Sequence, residues 1–211
     1  MKRRLFLPAS LLVLATALLW SFRHTLTAEG IAAWSPKQAG LAALFLLALY
    51  AVKGLSMALP VSALEAAAGL LFPLPAALAA NVCGVTLAQV LPYLLGRRRQ
   101  EALRVLSVRY PRLAVLQGAE KERPGRRVFL LRLAGVLPGD LVSLYLGAAG
   151  MPWRPYLAGS LLGSFPRVAA GTVLGAALWD LGGMKFWLSL AAGWGMTALA
   201  LFLWRLDGEV P

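Results

Sequence analysis

Apolar residues run along this chain in stretches of two lengths, separated by short polar punctuation. The long stretches are 5–20, 39–58, 76–96, 153–179 and 186–204. Each is near the ~20 residues that a helix needs to cross a ~30 Å hydrocarbon core. The short ones are Val61–Leu71 and 139–147. Eleven helical residues, as in Val61–Leu71, reach only about 16 Å, roughly half of the core. The first short run is opened by Pro60, carries Gly69 and is stopped by Pro73 and Pro75. The second is opened by Pro138 and turns at Gly147–Pro152. A helix broken at mid-depth leaves free backbone groups that only protein or water can satisfy, so the pattern predicts two re-entrant hairpins. Val61–Leu71 descends and 76–96 returns; the second descends from Pro138 and returns through 153–179, with Pro166 as an internal hinge. The run 128–137 is too short to span alone and leads into the second hairpin.

The two halves correspond: an apolar lead-in, a proline, a half-helix bearing an acid, a turn, and a longer helix. The expected fold is an all-α integral membrane protein, an inverted repeat of two facing re-entrant hairpins with flanking transmembrane helices. Three regions follow: 1–38, a first span and outer loop; 39–175, the hairpin domain; 176–211, a last span and tail.

Composition and charge agree. The 211 residues are 59% hydrophobic with mean hydropathy +0.70, which indicates a polytopic membrane protein. The formal net charge is +12, and +7 of it falls in 97–127, where ten basic residues face three acidic ones. With Lys2, Arg3 and Arg4 at the start, the positive-inside rule puts both termini and 97–127 in the cytoplasm of a cell membrane. The first apolar run is read as a span rather than a signal peptide. Residues 23–37 are read as a short polar connection. Within 97–127, Leu103, Leu106, Tyr110 and Leu113 alternate with Arg104, Arg109 and Arg112, which suits a basic amphipathic helix on the membrane surface or a solvated loop. The basic residues flank spans and no nucleic-acid motif accompanies them, so nucleic acid is not an expected partner. Lys53, near the end of its span, is expected to snorkel to the interface rather than to pair with Glu65. Asn81, Thr86 and Gln89 are expected to glue helices together.

The single cysteine, Cys83, excludes an internal disulfide and is expected as a small buried hydrophobe. The single histidine, His24, is expected at an interface; it excludes paired-histidine metal motifs. No G-x-S-x-G serine or spaced Asp cluster is present, so neither an enzyme nor a cofactor is expected.

Four ionisable residues sit inside apolar runs: Glu65, Arg132, Asp140 and Arg167. A lone charge at mid-bilayer costs roughly 2.5–3.5 kcal/mol on insertion scales, so four would cost on the order of 10 kcal/mol. They must pair, face water or titrate. Burial disfavours a charged carboxylate while a neighbouring arginine favours it, and an acid held between those effects can exchange a proton. Glu65 and Arg132 are the expected centre of a substrate or proton site, with Asp140 and Arg167 beside them. A purely structural ion-pair cluster is the alternative.

The segments PVSALEAAAGLLF, FLLRLAGVLPGDLVSLYLG and GSFPR resemble the DedA and SNARE-associated Golgi protein superfamily, or VTT domain, over residues 39–175. The best signals are Phe129-x-x-Arg132 with Pro138, the Gly147 turn, and Gly163-x-x-Pro166. The match looks closer to the Golgi-protein-like bacterial branch than to the DedA branch proper. Pro73 stands where the family usually has Gly, Gly135 where many members have Pro, and Leu144 where many have Tyr. The resemblance implies lipid handling: flipping or scrambling of phospholipids, or return of a lipid phosphate, with possible proton drive. The implied partners are anionic or phosphate-bearing membrane lipids, and oligomers are possible. An assembly or scaffolding factor is the competing expectation.

Overall fold

The computed structural model describes residues 27–56, 59–99, 124–135 and 137–177, with Met184, Ala191 and Gly195 as single positions. The expected first span, His24, nearly all of the last span with the turn before it, and 100–123 of the basic stretch lie outside these residues. Among the described residues the ordered elements are seven α-helices: α1 (Ala28–Trp34), α2 (Ala39–Ser56), α3 (Val61–Leu71), α4 (Leu74–Arg98), α5 (Pro124–Ala134), α6 (Gly139–Ala148) and α7 (Trp153–Ala176). Of these, α2, α4 and α7 are long and apolar enough to cross a membrane.

Proline sets most of the boundaries. Pro60, Pro73, Pro138 and Pro152 each occupy the N-cap of the helix that follows. A proline has no N–H to leave unsatisfied there, and its fixed φ feeds the first turn. Phe72 closes α3 in an extended conformation (φ −128°, ψ 154°), as a residue before proline must. Gly150 (φ +77°) makes the turn between α6 and α7, and Gly135 (φ +62°) ends α5 in the left-handed conformation that glycine tolerates.

Several expectations need correcting. The connection before α2 contains a helix, α1, capped by Thr27, whose Oγ1 accepts from Gly30 N at 3.1 Å. The long helix after the first short one is Leu74–Arg98, rather than 76–96, and that after the second is Trp153–Ala176, with Ala177 as its C-cap. Gly69 and Gly147 are interior to α3 and α6 and make no turn; 149–152 makes the second turn. Pro166 lies within the continuous helix α7.

The helices pack across the chain's two halves. In each half the lead-in helix (α2 or α5) lies on that half's long helix (α4 or α7), while the short helix lies on the long helix of the other half: α3 on α7, α6 on α4. Glycines at matching positions make this possible. Gly69 and Gly147 are each the ninth residue of a short helix, and Gly96 and Gly175 each the twenty-third of a long one. A Cβ on Gly69 would strike the backbone at Thr172 and Ala176; one on Gly175 would strike Ala66. Gly147 and Gly96 do the same between α6 and α4. Gly84 and Gly163, each the eleventh residue, admit Tyr50 of α2 and the Phe129 to Arg132 turn of α5. In lipid, where burying apolar surface between helices gains nothing over acyl chains, such close backbone contact is what holds helices together. One apolar cluster forms around Tyr50, Leu64 and Val85, a second around Tyr93, Val128 and Leu146. Leu41, Leu44, Leu162 and Phe165 are exposed, as suits side chains facing hydrocarbon. Cys83 is also exposed, against expectation, because it lies on the outer face of α4 beside the buried Gly84.

A polar cavity between the two halves

The buried polar residues sit where the halves meet. Asn81 of α4 ties three other helices together: it accepts from Tyr50 Oη at 2.8 Å and donates to Glu65 O at 2.9 Å and Thr172 Oγ1 at 2.8 Å. Gln89 Nε2 donates to Ser164 Oγ of α7 at 2.7 Å. Both amides therefore act as the expected glue. Thr86 does not; its hydroxyl donates to Val82 O in its own helix.

Glu65 is buried in the middle of α3, and its Oε1 accepts from Arg167 Nη1 at 2.9 Å. Gly171, one turn beyond Arg167, leaves room for the carboxylate: a Cβ there would stand 2.5 Å from Glu65 Oε2. The Arg167 side chain is 44% exposed, against 2% for Glu65, so the pair is asymmetric, with an enclosed acid and an accessible base.

Arg132 is in the last turn of α5, where a cation suits the helix dipole. It is buried, yet no carboxylate among the described residues pairs with it. Its guanidinium donates to Gly139 O at 2.9 Å, Ser143 Oγ at 2.6 Å, Tyr156 Oη at 3.3 Å and Ser160 Oγ at 3.4 Å. Gly139 permits this approach, since a Cβ there would lie 2.7 Å from Arg132 Nη1. Tyr156 is braced in turn, donating to Gln89 O at 2.8 Å and stacking on Tyr93 with ring centroids 4.1 Å apart. Neutral acceptors hold the fork in place without cancelling its charge.

The fourth charge, Asp140, lies in the first turn of α6 and forms an ion pair with Lys53 of α2. Lys53 therefore does not snorkel to an interface; it points inward, because α2 packs on α4 with its last turn facing α6. Sequence reasoning set Lys53 aside since a lysine near a span's end has an easy alternative in water. Its one signal was a location only a short loop away from the first half-helix. Nor do Glu65 and Arg132 pair with each other. Glu65 goes with Arg167 and Asp140 with Lys53.

These groups surround a cavity of about 260 Å³, whose polar lining comes from Lys53, Gln89, Arg132, Asp140, Ser164 and Arg167. Three of the four expected site residues line it, and Glu65 lies behind Arg167. Three cations meet two carboxylates, so the site carries one surplus positive charge. No cluster of three or more metal-ligating side chains occurs among the described residues.

With described residues that are helical throughout and three membrane-length helices among them, the chain is a polytopic membrane protein. It belongs to the family of the VTT domain, the domain of DedA and SNARE-associated Golgi proteins, whose model matches residues 59–177. That match covers both halves except α1 and α2. Comparison with curated proteins and with solved structures finds no match to this chain.

Proposed function

We propose that this protein moves lipids or lipid phosphates across the cell membrane by binding the anionic head group in the cavity between its halves. The observation that carries the reading is Arg132: a buried guanidinium held by neutral partners at the wall of a cavity with surplus positive charge. Its neutral partners take four of its five N–H donors, and its charge and remaining Nη1–H suit an oxygen of a phosphoryl group. The cavity has room for that group and a few waters of ~30 Å³ each, and none for acyl chains, which would stay in the bilayer. On this reading α3–α4 and α6–α7 are facing re-entrant hairpins of an inverted repeat. The reciprocal packing and the matched glycines support that arrangement. Glu65, the enclosed acid, would couple or gate movement by exchanging a proton when Arg167 turns from it to the cavity. A transporter-like, non-enzymatic role is in keeping with the family.

The test is transport in liposomes carrying labelled lipids with a panel of head groups. Anionic and phosphate-bearing head groups should be moved faster than zwitterionic or uncharged ones. Arg132→Lys should insert normally and lose most of that transport, since a point charge cannot replace the fork. The competing reading, a scaffold with structural ion pairs, draws on the complete pairing of Glu65 and Asp140. It predicts no transport by the wild type in pure lipid.

A further inference from the structure

We propose that Lys53 is a second ligand for the phosphoryl group and that Asp140 is its place-holder: an anion entering the cavity takes Lys53 away from Asp140. This deepens the head-group reading and rests on it. Lys53 occupies the last turn of α2 as Arg132 occupies the last turn of α5, so each half ends its lead-in helix with a cation directed at the same turn. Arg132 donates to Gly139 O, and Lys53 pairs with the next residue, Asp140. The two cations thus converge on adjoining residues at the cavity wall, and both line the cavity.

They differ in how firmly they are held. Arg132 is clamped by four hydrogen bonds to Gly139, Ser143, Tyr156 and Ser160. Lys53 has a single ionic partner among the described residues and carries its ammonium on a flexible four-carbon stem. Asp140, for its part, does not depend on Lys53. It sits in the first turn of α6, whose N-cap is Pro138 with no capping side chain, and the free N–H groups and dipole of that helix end favour a carboxylate. Lys53 can therefore leave without stranding Asp140. A phosphoryl group between the two cations gains a second positive contact, and the freed Asp140 then competes to take Lys53 back. That competition keeps binding loose enough for release, which a carrier needs as much as capture.

A merely structural pair and a place-holder predict different signs. The full chain in neutral detergent would be titrated with short-chain dihexanoylphosphatidylglycerol, with dihexanoylphosphatidylcholine as control and inorganic phosphate in parallel, following the shift in thermal unfolding midpoint. Asp140→Asn should tighten apparent binding of the anionic lipid about 3- to 10-fold, and Lys53→Gln should weaken it about 10-fold. The double variant Lys53→Gln with Asp140→Asn, which keeps the pair neutral, should bind as weakly as Lys53→Gln alone. The same opposite shifts with inorganic phosphate would support the exchange with the phosphoryl group alone as ligand; shifts with the lipid only would support it with the rest of the head group required. If the wild type responds to the anionic lipid but both single variants weaken binding alike, or the double variant binds like wild type, the place-holder idea is overturned and the head-group reading stands. If the wild type shows no response to either anion, both fall together.

Discussion

At the scale of single residues, the charges around the cavity divide by how each is satisfied. Glu65 has one charged partner, Arg167, while Arg132 has four neutral ones. Removing Arg167 would leave an enclosed carboxylate without its donor. Arg167→Met should therefore lower stability by roughly 1–3 kcal/mol, toward the low end because Arg167 is half open to the cavity and water already screens the pair. Glu65→Gln in that background should restore the loss, which thermal unfolding in detergent would read; a double variant no more stable than Arg167→Met would refute the pairing. Glu65→Gln alone keeps the side chain's volume and an oxygen for Arg167 while removing the titratable charge. It should insert and fold, and transport in liposomes should fall and change its dependence on pH. Transport unchanged at every pH would exclude Glu65 from coupling.

Among the elements, the short helices matter most, because each is held by the long helix of the opposite half. Their contacts are backbone to backbone at glycine. Gly175→Val should thus push α7 off Ala66 of α3 and destabilise the protein by about 1–3 kcal/mol, as overpacking does. Gly40→Ala is the matched control: nothing lies within 4 Å of a Cβ there. It should be neutral or slightly stabilising, by at most about 1 kcal/mol, since alanine favours the helix. Equal midpoints for both variants would show that the α3–α7 crossing is not held as described. The same geometry explains why α3 can be so short. Its middle, Leu64–Gly69, is buried against its neighbours, while Pro60 at its start is exposed and Phe72 at its end is half-buried.

For the whole molecule the question is which surface faces which compartment. We propose, from the positive-inside rule, that both termini and the basic stretch are cytoplasmic; single cysteines introduced after replacing Cys83 should then sort by access. A cysteine at 115 should react only with reagent supplied from the cytoplasmic side, and one at 30 from the opposite side. A cysteine at 74, the first residue of α4 beside the turn that follows α3, should on the re-entrant reading lie within the bilayer and react with a water-soluble maleimide far more slowly than one at 30. Equal rates at 74 and 30 would place that turn in water and end the re-entrant proposal.

Much of this architecture was readable in the residue order alone. Helix lengths follow from the apolar runs, and the breaks follow from prolines, because both effects act over one or two turns of chain and need no distant partner. Val61–Leu71 and the N-caps at Pro60 and Pro138 are of that kind. So is the location of Glu65, Arg132, Asp140 and Arg167 inside apolar segments. Which charge meets which was not readable. The pairing of Glu65 with Arg167 joins residues 102 positions apart, and that of Lys53 with Asp140 joins residues 87 apart. Both depend on how α3 crosses α7 and how α2 comes to face α6. Those crossings are set by whether a glycine lies under the opposing backbone, a property of surfaces in contact rather than of any local pattern. Lys53 shows the difference most plainly: one-dimensional reasoning gave it water as its cheapest partner, and the packed helices turned it to Asp140. The cavity, too, exists only where the two halves meet, so the sequence determined its charges and the tertiary structure decided their arrangement.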